Sequence, residues 1–370
     1  MALPLAYFIE TFSPFIVRWG HTNFGIRWYG TAYLTGFIVG YLLLRKLVRE
    51  GRLQLPLEKL MDFVLFVAIF GVVIGGRLGE AVLYRPHMFT EFTSSFPYWQ
   101  LLALQDGGMS AHGGIIGVLV ATWIFARRNK INFLNLIDGG AMVAPIGIGF
   151  GRIANFINGE LYGHVWHSPW AWQFPSELIY PPQLKIEPTI KPGAVSHLAE
   201  QVLARHPNLA PQMATPESMR MTLLNMARDG HPFVVAQLRH ILPPRIPSQL
   251  IEASLEGLLL FIICWCIGRY WRKAGMASGA FAVFYPIMRI IGEQFRVGDQ
   301  PKLIFGHWIS LGIIYSVPML LLGLVYWIWM MRRPSPQPAP ATTAAVAAAQ
   351  NQPLQGVERG AGTGTGPKEQ

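Results

Sequence analysis

The chain has 370 residues, of which 52% are hydrophobic and only 14% charged, with a mean hydropathy of +0.33. Soluble proteins carry about 25% charged residues, so there is too little charge here to cover a water-facing surface, and an integral membrane protein is expected. Cys264 and Cys266, the two cysteines, lie inside an apolar run, which excludes a secreted disulfide scaffold and a structural zinc site.

Residues 1–27 form an N-terminal segment. It lacks a basic start, carries Glu10 and offers no small-residue cleavage site, so it does not read as a signal peptide; residues 3–17 read as an interfacial stretch. Apolar stretches of near-spanning length, about 17–25 residues, follow at 28–44, 60–83, 109–126 and 137–158, making a first group of four transmembrane helices over 28–158. Residues 159–250 are a long connection with many prolines, in which 195–206 and 216–242 have the spacing of short helices at a membrane surface. Three more spans are expected within 251–331, at 253–268, 274–292 and 303–331. The last is long, and its start suits an interfacial segment. Residues 332–370, rich in Pro, Ala, Gly and Thr, read as a disordered tail.

Basic residues collect in every second connection: Arg45 to Lys59, Arg127 to Lys130, Arg269 to Lys273, and Arg332 with Arg333. The positive-inside rule then places the N-terminus outside and the C-terminus in the cytoplasm. This topology explains most of the net charge of +10, so nucleic acid is not an expected partner. The expected fold is an all-α integral membrane protein with seven transmembrane helices and a long outer-face insert. Gly36 with Gly40, Gly71 with Gly75, Gly75 with Gly79 and Gly113 with Gly117 have the GxxxG spacing of closely packed membrane helices.

Ionisable groups within spans cost about 2.5–3.5 kcal/mol each on insertion scales and point to function. With the expected topology, Tyr29, Arg77, Glu80, His112, Arg152, Asn155, Asn158, Glu160, Gln249, Glu252, Glu256, Tyr285, Arg289, Glu293 and Arg296 all fall near the outer end of their helices. Arg152, Asn155 and Asn158 share one helix face, as do Tyr285, Arg289, Glu293 and Arg296. Salt bridges within a helix, Arg77 with Glu80 or Arg289 with Glu293, explain some of these charges but not the gathering of arginines in one leaflet. Arginine is the donor suited to phosphate, so an anionic phospholipid is the expected ligand, and His112 is the group there able to exchange a proton near neutral pH. A lipid transporter or flippase would place its polar groups near the midplane on related halves, which this sequence does not show. A non-enzymatic lipid-binding scaffold would have no need of a histidine beside the arginines.

The run Gly151-Arg-Ile-Ala-Asn-Phe-Ile-Asn-Gly-Glu-Leu-Tyr-Gly163 resembles the signature of the bacterial prolipoprotein diacylglyceryl transferases, with every defined position filled. Ile26 to Gly30, Gly75 to Arg77, Asp106 to Gly114, Pro247 to Leu250 with Glu252, and Arg289 to Asp299 resemble further blocks in family order, over roughly residues 15–175 and 245–331. The resemblance implies a seven-span enzyme of the bacterial inner membrane with its active site toward the outer leaflet. It would move the diacylglyceryl group of phosphatidylglycerol to the lipobox cysteine of a preprolipoprotein, with no metal or organic cofactor. By motif, Arg152, Arg289 and His112 match the family's essential residues; Tyr29, Asn155, Glu160, Gly163, Tyr285, Glu293 and Arg296 match further important ones. The chemistry fits: two guanidinium forks would hold the headgroup and stabilise the leaving phosphate, and His112 would serve as base to, or at least orient, a thiol whose free pKa is about 8.5. The sequence departs from the family at Ile246 and Ile251, where His and Tyr are usual, at Ile313, where Gln is common, and in an unusually long insert at about 176–244. The insert is expected to shape which preproteins dock.

Overall fold

The computed structural model describes residues 7–18, 25–94, 97–103, 108–179, 190–297, 302–304 and 307–334. The expected disordered tail from 335 onward, Asp106, and Asp299 lie outside the described residues. Residues Met1–Met331 make one compact unit, separate from Arg332–Gln370.

The first long helix, α1 (Trp28–Arg49), ends with Lys46 and Arg49, cations that complement the negative end of its dipole. The path over 60–83 runs as α2 (Leu60–Phe66), a π-helical stretch Val67–Ile74 and α3 (Gly75–Leu83), with helical backbone at both junctions. Next come α4 (Ala111–Asn129) and α5 (Phe133–Asn158). Ser110 caps α4 by accepting from the Gly113 N–H at 3.2 Å, and Asn132 caps α5 by accepting from Leu134 at 2.9 Å. In the second half, α9 (Ser248–Glu252), a π-helical stretch Ala253–Leu259 and α10 (Leu260–Tyr270) follow one another, then α11 (Met276–Glu293) and α12 (Leu311–Arg332).

Among the described residues, Trp28–Arg49, Phe133–Asn158, Ser248–Tyr270 and Leu311–Arg332 are long and apolar enough to cross a membrane. The remaining three expected spans also fold as helices, shorter or interrupted. The stretch expected to begin the last span at 303 instead forms two short antiparallel strands, Lys302–Ile304 with His307–Ile309, before α12 starts at Leu311.

Glycine sets how closely these helices approach. A Cβ on Gly75 would come within 2.7 Å of the Gly117 Cα, one on Gly113 would strike Gly79, and one on Gly257 would come within 2.6 Å of the Gly149 Cα. Thus α3 lies on α4, and the π turn after α9 lies on α5, backbone against backbone. At the end carrying the basic residues, Leu44, Leu47, Leu60, Phe63, Phe125, Leu136 and Met142 form a buried cluster. Asp138 on α5 caps α11 there, accepting from the Gly275 N–H at 2.7 Å and from the Ser278 N–H and hydroxyl at 2.8 and 2.7 Å.

Within the compact unit Met1–Met331 the insert folds as a cluster of short helices. The capping box of Thr215 and Ser218 starts α7 (Pro216–Arg228), which packs with α6 (Ala194–Arg205) and α8 (Pro232–Ile241) around Leu198, Val202, Leu223, Leu224, Val234 and Leu238. The stretch 216–242, expected to hold short helices, forms two, divided where Gly230 adopts φ +74 and Pro232 follows it. The N-terminal segment joins these helices through short strands: Phe8–Ile9 pairs in parallel with Trp172–Gln173, and Ile9 packs on the insert core. Phe15–Arg18 pairs antiparallel with Gly25–Arg27, leading into α1. At the base of the insert, Trp172 and Arg245 exchange backbone hydrogen bonds at 2.9 and 2.7 Å, and the fully buried Arg245 and Glu177 side chains form an ion pair at 2.6 Å.

Candidate active site

The polar residues expected at one end of the helices meet in three adjoining groups. In the first, α5 presents Arg152 and α11 presents Arg289 to the pair Glu252 and Glu256, both 0% exposed. The two acids flank the start of the π turn, one helical step apart. Arg152 donates through Nε and Nη2 to Glu256 Oε2 at 3.2 and 2.9 Å, and its Nη1 lies 3.2 Å from Glu252 Oε2. Arg289 Nη1 lies 2.8 Å from Glu252 Oε1 and 3.4 Å from Glu256 Oε1, while its Nη2 meets Glu293 Oε2 at 2.9 Å. Arg296 completes the set, 3.8 Å from Glu252 Oε1. Three guanidiniums and three carboxylates thus balance one another in a space from which water is largely excluded, the condition under which a buried charge is tolerated.

Two glycines make this packing possible. A Cβ on Gly292 would lie 3.1 Å from Glu252 Cγ, and one on Gly312, in the first turn of α12, would lie 2.8 Å from Glu293 Oε2 and 3.2 Å from Arg289 Nη2. Tyr285 stands one turn before Arg289, within electrostatic reach of Glu256, Arg289 and Arg152.

The second group lies one turn further along α5. Asn155 donates to the Tyr29 hydroxyl at 2.8 Å and, at 3.5 Å, to Glu160, which Asn158 also reaches at 3.4 Å. Gly159 closes α5 with φ +70, and Gln249 donates to the Glu160 carbonyl at 2.6 Å. Burial pushes the Glu160 carboxyl up, while hydrogen bonds from Asn155 and Asn158 and the charges of Arg228 and Arg27 oppose the rise. Gly163 sits where strands of chain converge: its N–H donates to the Ile246 carbonyl at 2.9 Å, it bridges to Arg296, and a Cβ there would strike the Phe295 carbonyl. The departure at Ile246 therefore preserves a backbone contact that any residue supplies.

His112 forms the third group, in the first turn of α4. Its ring lies edge-on to Tyr315 of α12 at 4.5 Å, and Nδ1 is 3.4 Å from the Tyr84 hydroxyl, a long hydrogen bond. Arg289 is near enough for its charge to act on the imidazole. Gly114 beside it faces open space, with nothing within 4 Å of an added Cβ, whereas Gly113 is spent on packing against α3.

Arg77 ties down the chain that leads into α4. It is 4% exposed and donates to the carbonyls of Gln100, Leu101, Ala103 and Gly108 at 2.6 to 2.9 Å. Glu80, placed beside it in the sequence, is 3.3 Å from Arg85. Sequence reasoning placed Glu252 and Glu256 at the same helix end but gave them no role, and it did not single out Tyr84 or Tyr315, for which there was no signal.

Fold and site together define a mostly helical membrane protein with a charge-balanced arginine–glutamate centre beside a histidine. A family profile described as prolipoprotein diacylglyceryl transferase matches residues 14–329. A phosphatidylglycerol--prolipoprotein diacylglyceryl transferase of Bdellovibrio bacteriovorus is 38% identical over 322 residues, covering 82% of this chain and 90% of its own. Proteins of the same name from Geobacter sulfurreducens (34%, covering 87% of this chain and 96% of their own) and Legionella pneumophila (33%, 83% and 93%) are similar in the same way. The chain belongs to the prolipoprotein diacylglyceryl transferase family.

Proposed function

We propose that this chain transfers the diacylglyceryl group of phosphatidylglycerol to the lipobox cysteine of preprolipoproteins, the first step of lipoprotein maturation. The names of its relatives support the substrates, and one observation carries the chemistry: Arg152 and Arg289, on facing helices, converge on the same buried acid, Glu256, with His112 beside Arg289. In this reading the cysteine sulfur attacks the glyceryl carbon that bears the phosphate ester. A carbon–sulfur bond forms, the carbon–oxygen bond to phosphate breaks, and glycerol phosphate leaves with the charge. The two guanidiniums hold the phosphate and stabilise that charge as it gathers, an effect strongest where water is excluded. Glu252, Glu256 and Glu293 keep the forks aimed, so little reorganisation accompanies the reaction. His112 takes the thiol proton or orients the nucleophile. Tyr29, Asn155, Glu160, Tyr285 and Arg296 line the substrate side, and Gly163 admits the backbone turn beneath it. No metal or organic cofactor enters these steps.

The same reading puts the protein in the bacterial inner membrane with seven spans, the N-terminus outside and the site toward the outer leaflet. The insert then faces arriving preproteins and shapes which of them dock. The test is purified protein in phosphatidylglycerol micelles with a lipobox peptide, following glycerol phosphate release and peptide mass. Release that requires the cysteine, with a mass gain of one diacylglyceryl unit, is expected; lipid binding without release from either the Cys peptide or its Ser counterpart would turn the reading toward a transporter or scaffold.

A further inference from the structure

The C-terminal end of α5 is electrostatically inverted. A helix C-terminus carries partial negative charge and free carbonyls, and cations are favoured there. Here two carboxylates crowd it. Glu10 is fully buried, and a Cβ on Gly159 would lie 2.8 Å from its Oε2; Glu160 follows Gly159 directly. The cation comes from the insert. Arg228, the last residue of α7, donates through Nη2 to the Asn158 carbonyl at 3.0 Å, and its charge acts on both Glu10 and Glu160. The next carbonyl, of Gly159, is taken by the buried hydroxyl of Ser176 at the entry to the insert.

We infer that Arg228 is a positioning residue for the site: by holding the Asn158 carbonyl and neutralising the acids around it, the insert fixes the Glu160 carboxylate, and through Asn155 the Tyr29 hydroxyl, in their working places. The chain of contacts is short. Glu160 in its ionised form accepts from Asn155 and Asn158, and Asn155 also donates to Tyr29. A proton on Glu160 would weaken the first two contacts and loosen the third. The charged groups acting on Glu160 are Arg228 from α7 and Arg27 from the strand before α1; Glu10 comes in from the N-terminal segment to the same helix end, and Arg152 lies on α5 itself. With Arg228 removed, Glu160 therefore protonates at higher pH. The insert, besides facing substrates, would be a working part of the catalytic floor.

This inference rests on the transferase reading. Cysteine-dependent release by the unaltered protein tests that reading, and comparison of variants in the same assay tests the inference. Arg228→Gln is expected to lower kcat by about tenfold to a hundredfold, as small misplacements of a site do, with the lipobox-peptide KM little changed. The acid limb of its pH–kcat profile should move to higher pH by about half a unit or more. Arg228→Lys, which keeps the charge and folds if Gln does not, should hold the limb near its original place and restore most of kcat. A readout independent of activity is infrared titration of the Glu160 carboxyl, identified by subtraction of the Glu160→Gln spectrum; it should shift upward in Arg228→Gln. An acid limb and carboxyl titration that superimpose on the unaltered protein's, with only thermal stability lowered, would overturn the inference and leave Arg228 a structural staple. So would an Arg228→Lys limb displaced as far as that of Arg228→Gln.

Discussion

Glu10 offers a measurable link between protonation and folding. Its carboxyl is fully buried, with Oε1 accepting from the Phe12 N–H at 2.7 Å, and burial pushes its pKa from 4.5 up to about 7 against the opposing charge of Arg228 and the Phe12 hydrogen bond. Because the folded state holds the proton more tightly than the unfolded chain, folding stability falls as pH rises from about 4.5 to about 7 and is lowest above that window. Each pKa unit corresponds to about 1.36 kcal/mol, so ionising Glu10 in the fold costs roughly 3 kcal/mol. Glu10→Gln keeps an acceptor for Phe12 and removes the ionisation. The variant should match the parent at about pH 4 and exceed it at about pH 8, by roughly 4 °C in thermal midpoint for a chain of 370 residues at about 2.1 cal/mol/K of unfolding entropy per residue. The assay is a thermal-unfolding series in detergent across that range for both proteins. Parallel curves for parent and variant would refute the reasoning, because the pH-dependent cost would then lie elsewhere.

At the arginine centre, Arg152→Lys retains the charge but cannot span Glu252 and Glu256 together, so a loss of kcat of about 10² or more is expected, read as glycerol phosphate release. Glu256→Gln strips one shared counter-ion from both arginines and should cost a similar factor, with the product of the two single effects exceeding that of the double variant. Arg245→Ala removes the buried guanidinium that pairs with Glu177 at 2.6 Å and should destabilise the fold by about 3–5 kcal/mol, whereas Arg245→Met with Glu177→Leu together should cost much less; both are read by thermal unfolding. Gly113→Val should prevent stable folding, because its Cβ meets α3 backbone, while Gly114→Ala, with nothing within 4 Å, should fold normally as judged by yield and monodispersity in detergent.

The helices were readable because hydropathy and basic clusters are strong, local signals. The glycine contacts were too: Gly75 on Gly117 and Gly79 on Gly113 occupy positions the GxxxG spacing singled out. Gathering Arg152, Arg289, Glu293 and Arg296 at one end required only the direction of each helix. What sequence could not give was pairing across helices. Nothing local says that Glu252 and Glu256, rather than solvent or each other's neighbours, receive Arg152, since that choice depends on the close approach of α5 and α11 to the π turn. The two-residue strand Phe8–Ile9 is too short to carry a pattern, and its partner lies more than a hundred and sixty residues away. Arg228 was hidden for a related reason: it ends a helix of mixed polarity in the insert, and its importance comes from the carbonyl it meets, seventy residues earlier in the chain.

The exchange of backbone hydrogen bonds between Trp172 and Arg245 has an engineering consequence. To the helices below, the whole intervening chain begins and ends at one point, like the stem of a hairpin. Its length can therefore change at little closure cost, since each doubling of a flexible loop adds only about 0.6 kcal/mol. Crowns from related proteins could be grafted onto this stem, and new chain termini could be opened within the crown by circular permutation without pulling on the bundle. A successful graft would have to bring one feature with it: a cation placed to meet the carbonyl of Asn158.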